Sequence, residues 1–259
     1  MSVVFILGSH RSGTTSLLRA LELSDHAACL MEPAPNLNIE SRHHLDRVLW
    51  DPYAPLLRHV AQRVAAGLAR RRCYVEKQNS LVPFIPELTR LFGARFVVPV
   101  RDGRDVAASL VDWHNQMFPI IYQECREEVL LGPHAQAVLA AQQGISEFDY
   151  SLPRPARDDP WFREWPGFTR FEMAAWYWNA INLRLLRLLD RLPSDRYMLV
   201  DYTRPSADAI RRVYDFIGLP DFDGAAVAAL LERKVNSLAD RIAAAPRFPQ
   251  PDGNRYFTQ

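Results

Sequence analysis

Val3-Val4-Phe5-Ile6-Leu7-Gly8-Ser9-His10-Arg11-Ser12-Gly13-Thr14-Thr15, close to the start of the chain, is the stretch from which the fold is read. The apolar run from Val3 to Leu7 is rich in β-branched residues and shows no polar alternation, which predicts a strand buried on both faces. Gly8 to Gly13 is a short polar loop. Thr14 to Leu23 then carries Leu17, Leu18 and Leu21 at helical spacing, so a helix begins where the loop ends. A strand, a glycine-bounded loop and a helix in that order aim backbone N–H groups and the positive end of a helix dipole at one point, which suits an anion. The alternative reading of the loop is a tight turn that binds nothing.

The loop has the frame of a Walker A motif: glycine, four residues, glycine. Thr14, however, stands where a nucleoside triphosphatase needs a lysine on the β- and γ-phosphates. Arg11, inside the loop, is the nearby cation. The segment Tyr197 to Asp201 resembles a Walker B strand, apolar residues ending in an acid, but many buried strands end that way.

Outward from the loop, the alternation continues. Cys73-Tyr74-Val75 and Arg95 to Val100 read as strands, Pro83 to Phe92 and Asp102 to Trp113 as helices. Phe171 to Leu189 is a long helix with Phe171, Ala174, Ala175, Trp178, Ile181, Leu185, Leu188 and Leu189 in register. Tyr197 to Val200 is another strand. Ser206 opens a helix that Gly218 closes, with Pro220 just beyond, and Gly224 to Lys234 is a last helix. Strands alternating with helices predict an α/β fold: a P-loop-type central parallel sheet flanked by helices. Residues 115–167, with Pro119, Pro133, Pro153, Pro155, Pro160 and Pro166, read as a helical and irregular insertion. It either carries acceptor specificity or serves as a structural flap. The tail from Pro246 is proline-rich and expected on the surface.

The 259 residues are 48% hydrophobic and 24% charged, and no linker or repeat divides them, so a single domain over 1–259 is expected. The net charge of +1 gives no reason to expect a nucleic-acid partner. No apolar run approaches the roughly 20 residues of a membrane span. The N-terminal run is too short for a signal segment and has no basic flank. Cys29, Cys73 and Cys125 are odd in number and far apart, which fits neither a disulfide framework nor a metal site and points to a reducing, cytoplasmic setting.

Three stretches together carry a family resemblance. Arg11-Ser12-Gly13-Thr14-Thr15 resembles the 5′-phosphosulfate loop of sulfotransferases that use 3′-phosphoadenosine 5′-phosphosulfate (PAPS). RFVVPVRDGRDVAASL, residues 95–110, resembles their 3′-phosphate motif, in which an arginine ends a strand and a serine follows eight residues later; Arg101 and Ser109 match it. YMLVDYTRPSADAIRRVYDFIGLP resembles the family's late strand and helix. An arginine fork and a hydroxyl are also good partners for a terminal phosphate on physical grounds.

The resemblance implies a PAPS donor, 3′-phosphoadenosine 5′-phosphate (PAP) as product, and a hydroxyl-bearing acceptor, a glycan or small molecule. No metal is required. Arg11 would stabilise the leaving group; many members have lysine there, and the branch resembling tyrosylprotein sulfotransferases has arginine. Lys77 aligns with a second family lysine that contacts the sulfate or bridging oxygen. The cytosolic small-molecule enzymes place a basic histidine two residues later, where this chain has Asn79. The tyrosylprotein and heparan-type enzymes use a glutamate shortly after the first helix, and Glu32 falls there as candidate general base. His10, His43, His44 and His114 are further candidates for the base that no motif selects. Tyr202 matches a tyrosine that contacts the nucleotide; Ser237, Arg247 and Arg255 are candidates in the tail. The competing readings are a P-loop kinase or NTPase, favoured by the loop frame and Asp201, and a nucleotide-binding module without catalysis.

Overall fold

The computed structural model describes residues 1–33, 53–117, 122, 124, 125, 131–136 and 152–233. Among these, residues up to Asp102 and from Ile181 onward form one compact unit, and Gly103–Ala180 a second.

The first unit is built on a five-stranded sheet: β1 Ser2–Ile6, β2 Ala27–Met31, β3 Cys73–Lys77, β4 Arg95–Val100 and β5 Tyr197–Asp201. The order is β2-β3-β1-β4-β5 and every pair is parallel. All five strands therefore end at one edge, the edge where ligands of open α/β sheets bind. Register brings Lys77 beside Ile6 on one side and Met31 on the other.

Strand alternation sorts the side chains onto two faces. Val4, Ile6, Cys73, Val75, Val97 and Val200 point to the face covered by α1 (Thr14–Leu21), α6 (Ala207–Ile217) and α7 (Gly224–Glu232). Leu17, Leu18 and Leu21 from α1 meet Ile210, Val213, Tyr214 and Ile217 from α6 in this core. The α6 boundaries follow local chemistry. Ser206 Oγ accepts from the Ala209 N–H at 3.2 Å, and Gly218 closes the helix at φ 81°. On the opposite face Phe5 meets the Tyr74 ring edge-on at 6.4 Å and stacks on Phe96 at 6.3 Å. There α2 (Tyr53–Leu68) lies against β3. A Cβ on Gly67 would fall 2.3 Å from Tyr74 Cδ2, so glycine allows the helix to approach the ring.

Two elements have no counterpart in the sequence reading. Ala27-Ala28-Cys29-Leu30-Met31 has no β-branched residue, and it becomes a strand because β3 supplies an edge to pair with. The helix Tyr53–Leu68 is likewise new. Pro83 sits not in the first turn of its helix but inside a 3₁₀ segment, Asn79–Phe84. α3 (Ile85–Phe92) starts after it with Pro86 in its first turn, where a missing N–H costs nothing.

In the second unit, α4 (Gly103–Gln116) follows the sheet. The long helix α5 (Arg170–Leu189) begins here and continues into the first unit. Its buried face runs through Met173, Ala174, Tyr177, Ile181, Leu185 and Leu189, and Phe171 stays exposed, so the apolar stripe is rotated from the expected one. Among the described residues of the 115–167 insertion, Tyr122 and Trp165 meet edge-on at 5.1 Å, and Trp165 meets Trp176 at 5.3 Å. Trp178 covers Gly103, where a Cβ would fall 2.8 Å from the indole. Both α5 tryptophans thus pack against neighbouring residues of this unit. Arg154 grips Glu124 through two bonds of 2.8 and 3.0 Å.

Candidate active site

The loop from Gly8 to Gly13 leaves the end of the central strand β1 and enters α1. Its shape needs left-handed backbone at two points, Arg11 (φ 65°) and Gly13 (φ 98°). Ser12 ties the loop to itself, its hydroxyl donating to Ser9 O at 2.8 Å. Gly13 caps α1 without any side-chain hydrogen bond, and no acidic residue lies in the first turn. The N–H groups and dipole of that helix end are therefore not neutralised by the helix's own side chains. Ser12 and Thr14 are buried, Arg11 and Thr15 half-buried.

Tyr202, just past β5, backs this loop. Its ring covers Gly13, and its hydroxyl donates to Ser16 Oγ at 3.2 Å. Burial pushes the phenol up to about 12, so it stays a neutral donor. A Cβ at Gly13 would sit 2.2 Å from Tyr202 Cδ1, on a backbone that side chains rarely adopt. Gly13→Ala is expected to destabilise the fold by about 2–5 kcal/mol, summing strain and overpacking. Thermal melts of Gly13→Ala and of Gly13→Ala/Tyr202→Ala check this: the smaller residue should recover the overpacking part, and equal melts for the two would refute the contact.

Next to the loop, adjacent strand ends bring two more of the expected residues together. Lys77 Nζ donates to the Glu32 carboxylate, and the Glu32 N–H donates to Lys77 O at 2.8 Å. The lysine side chain is 5% exposed and the glutamate 49%, so a buried cation is held by a carboxylate that water also reaches. Glu32 has φ 44° and precedes Pro33, a position normally confined to extended backbone. Such strain persists where the surroundings enforce it, and it gathers at functional sites.

His10 joins this group. The half-buried imidazole is pushed down to about 4, first by burial and then by the charges of Lys77 and Arg11, while Glu32 acts the other way. Of the two candidate histidines among the described residues, it is the one on which Arg11, Glu32 and Lys77 act. His114 lies on α4 in the second unit and is pushed down to about 3 by burial and Arg170. His43 and His44 lie outside the described residues, as do Ser237, Arg247 and Arg255. What marks His10 in the sequence is only its place beside Arg11.

Beyond Lys77 the chain buries Gln78, Asn79 and Ser80. Gln78 Nε2 donates to Ser80 Oγ at 2.9 Å, and the Gln78 N–H donates to Ile6 O at 3.3 Å, which fastens this turn to β1. Gln78 Oε1, Asn79 Oδ1 and Ser9 Oγ are buried without a hydrogen-bond partner. Orphaned polar atoms are uncommon in a core and each costs about 1–3 kcal/mol, so their gathering on two neighbouring turns marks a polar site. Polar residues after a strand end are ordinary in sequence, so the pattern gave no signal for Gln78.

Arg101 follows β4 and is half-buried, as is Ser109 on α4; the first belongs to the sheet unit, the second to the other unit. Asp201 is exposed at the end of edge strand β5, two strands from β1, and accepts from the Thr203 N–H at 2.9 Å as a turn residue. A groove lined by Arg95, Tyr197, Arg212 and Phe216 opens at the opposite edge of the sheet, where β4 and β5 begin. Arg95 is already engaged there by Phe216 O at 2.7 Å, so the groove is set aside as the reaction site. Cys29, pushed up to about 12 by burial, is no nucleophile at neutral pH. No group of three or more His, Cys, Asp or Glu among the described residues is placed to hold a metal ion. Nor is any helix among them long and apolar enough to cross a membrane.

The fold, with this glycine loop at the end of its central strand, is that of sulfotransferases. The sulfotransferase domain from the curacin biosynthetic pathway superposes with a TM-score of 0.50 at 15% identity, covering 91% of this chain and 78% of that one. Sulfotransferase STF9 from Mycobacterium avium also superposes at 0.50, with 16% identity, covering 90% of this chain and 68% of its own. No protein-family model and no curated protein matches the chain by sequence.

Proposed function

We propose that the protein is a PAPS-dependent sulfotransferase acting on a hydroxyl of a glycan or small molecule. The observation that carries this reading is the meeting of Glu32 and Lys77 on adjacent strand ends beside a loop that bears Arg11. An anionic donor fits this edge: the α1 N-terminus is uncapped by side chains, and Arg11 and Lys77 supply positive charge. In this reading the loop from Arg11 to Thr15 holds the 5′ end of the nucleotide, with Tyr202 bracing it from behind. Arg101, at the end of β4, contacts the 3′-phosphate, the role that the resemblance implies for it and for Ser109. The donor supplies an activated sulfuryl group.

The chain's own task is positioning and charge control, as in phosphoryl transfer by a loose, in-line route. Glu32 takes the acceptor's proton. Lys77 and Arg11 stabilise the negative charge that grows on the bridging oxygen. Lys77 is well suited to this because a compact ammonium on a flexible stem can pass from a carboxylate to a sulfuryl oxygen. With Thr14 buried in place of the triphosphatase lysine and Asp201 committed to a turn, the NTPase reading has little support.

Heat-shift measurements test the donor site directly, because a ligand that binds only the folded state stabilises it by RT ln(1 + [L]/Kd). PAP without metal is expected to stabilise the protein by about 2.7 kcal/mol at a hundred times its Kd. ADP with magnesium is expected to do much less. Selective stabilisation by ADP with magnesium would replace this reading by a kinase or NTPase.

A further inference from the structure

We propose that the ion pair of Glu32 with Lys77 is a latch that the donor opens: the base stays engaged until an anionic donor draws Lys77 onto its own oxygens. The inference rests on the sulfotransferase reading above and adds to it a coupling between donor binding and release of the base.

Two features of the fold set the latch. The first is unequal mobility. Glu32 follows Met31, which is paired with Lys77 in the β2–β3 register, and its own N–H donates to Lys77 O at 2.8 Å. With φ at 44° and Pro33 next in the chain, the glutamate backbone is held at one setting. The carboxylate therefore stays at the strand end. The Lys77 backbone is fixed in β3, but its ammonium rides on a flexible stem and can turn to a second anion.

The second feature is unequal burial. The Lys77 side chain is 5% exposed and that of Glu32 49%. A buried ammonium without an anion is costly, so Lys77 exchanges one anionic partner for another and does not wait between them. The half-exposed carboxylate can be left behind, because water solvates it. The pair thus has two settings. Closed, the lysine is on Glu32. Open, it is on a sulfuryl or bridging oxygen of the donor, and Glu32 is released.

The two settings differ in chemistry. While the latch is closed, the ammonium favours the ionised carboxylate and competes with any hydroxyl for it. Opening takes that cation away and brings the donor's negative charge near, and both changes favour the taking of a proton by Glu32. The base is thus switched on by the molecule whose group is to be transferred. In the transfer the acceptor oxygen bonds to sulfur, and the bond from sulfur to the bridging oxygen breaks. The electron pair of the broken bond stays on the nucleotide 5′-phosphate, and the hydroxyl proton goes to Glu32. When the nucleotide leaves, Lys77 returns to Glu32, and its charge drives the proton out to water.

The test is a double-mutant cycle read by calorimetric binding of PAPS without acceptor. Glu32→Gln is expected to tighten PAPS by about tenfold, the factor by which a latch closed about nine-tenths of the time weakens apparent affinity. With Lys77→Met already in place, the same substitution should change the Kd less than about threefold, because no lysine remains to be released. Equal tightening in both backgrounds would mean that Glu32 merely repels the donor through space, and it overturns the latch. No tightening in either background overturns it as well. A wild-type protein that binds neither PAPS nor PAP overturns the donor reading instead, and this inference with it. A measurement on the wild type stands even if a variant folds poorly: the side-chain carboxylate carbon signal of Glu32 in an NMR spectrum should move on saturation with PAPS, and an unmoved signal means that the latch stays closed.

Discussion

Glu32→Gln is expected to lower turnover on hydroxyl acceptors by about 10²–10⁴-fold, the range that a positioned acid or base contributes. PAP should still raise the melting temperature of the variant, since the loop and its helix end are untouched. The substitution keeps the volume of the side chain and removes its charge, so the strained backbone at φ 44° before Pro33 is preserved. It also takes the carboxylate from Lys77, leaving a buried ammonium to depend on the neutral amide. The effect should therefore appear in kcat more than in KM for the donor. Glu32→Asp, which withdraws the carboxylate by one methylene, should fall between wild type and Gln. Full activity in Glu32→Gln would mean that the proton leaves by another route, and His10 would be the first group to test.

Arg63→Met is the second large effect, and it acts on the opposite face of β3. Glu76 is fully buried there, held by Arg63 through contacts of 2.8 and 3.1 Å and by the Tyr74 hydroxyl. Burial, then the charge of Glu76, pushes the Tyr74 phenol well above its usual range, which keeps it a neutral donor. Removing Arg63 strands a buried carboxylate and is expected to cost about 3–5 kcal/mol. Replacing the group as a whole by Arg63→Met, Glu76→Leu and Tyr74→Phe should cost far less, because no charge is then left unpaired. Denaturant melts of the single and triple variants give the comparison. A loss below about 1 kcal/mol in the single variant would show that water reaches Glu76, since exposed pairs are worth that little. The network also bears on catalysis. Glu76 precedes Lys77 in the strand, so loosening α2 from β3 should disturb the lysine as well as the fold.

The sequence determined much of the fold because several elements carry local reasons for their form. The β-branched run before Gly8, the RFVVPV strand, and the Ser206 and Gly218 caps each specify their element without help from distant residues. Arg11, Glu32 and Lys77 were singled out for a different reason: the family resemblance implies a role at each of those positions. Four things escaped, the helix α2 among them. β2 is a strand only through pairing with β3, since Ala27 to Met31 has no strand preference of its own. Asn79 could be read as the absence of a histidine, but its orphaned oxygen, with those of Gln78 and Ser9, is a fact of burial. His10 was one histidine among several.

What the sequence by itself determined is most of the strands and helices, β2 and α2 apart, and the chemical types available at the loop. What only the tertiary structure decided is which of those groups meet. Glu32 and Lys77 are 45 residues apart in the chain, and they pair because β2 and β3 are adjacent and end together. Charges interact through space and not along the chain. The strand order that sets their distances is a property of the folded sheet as a whole.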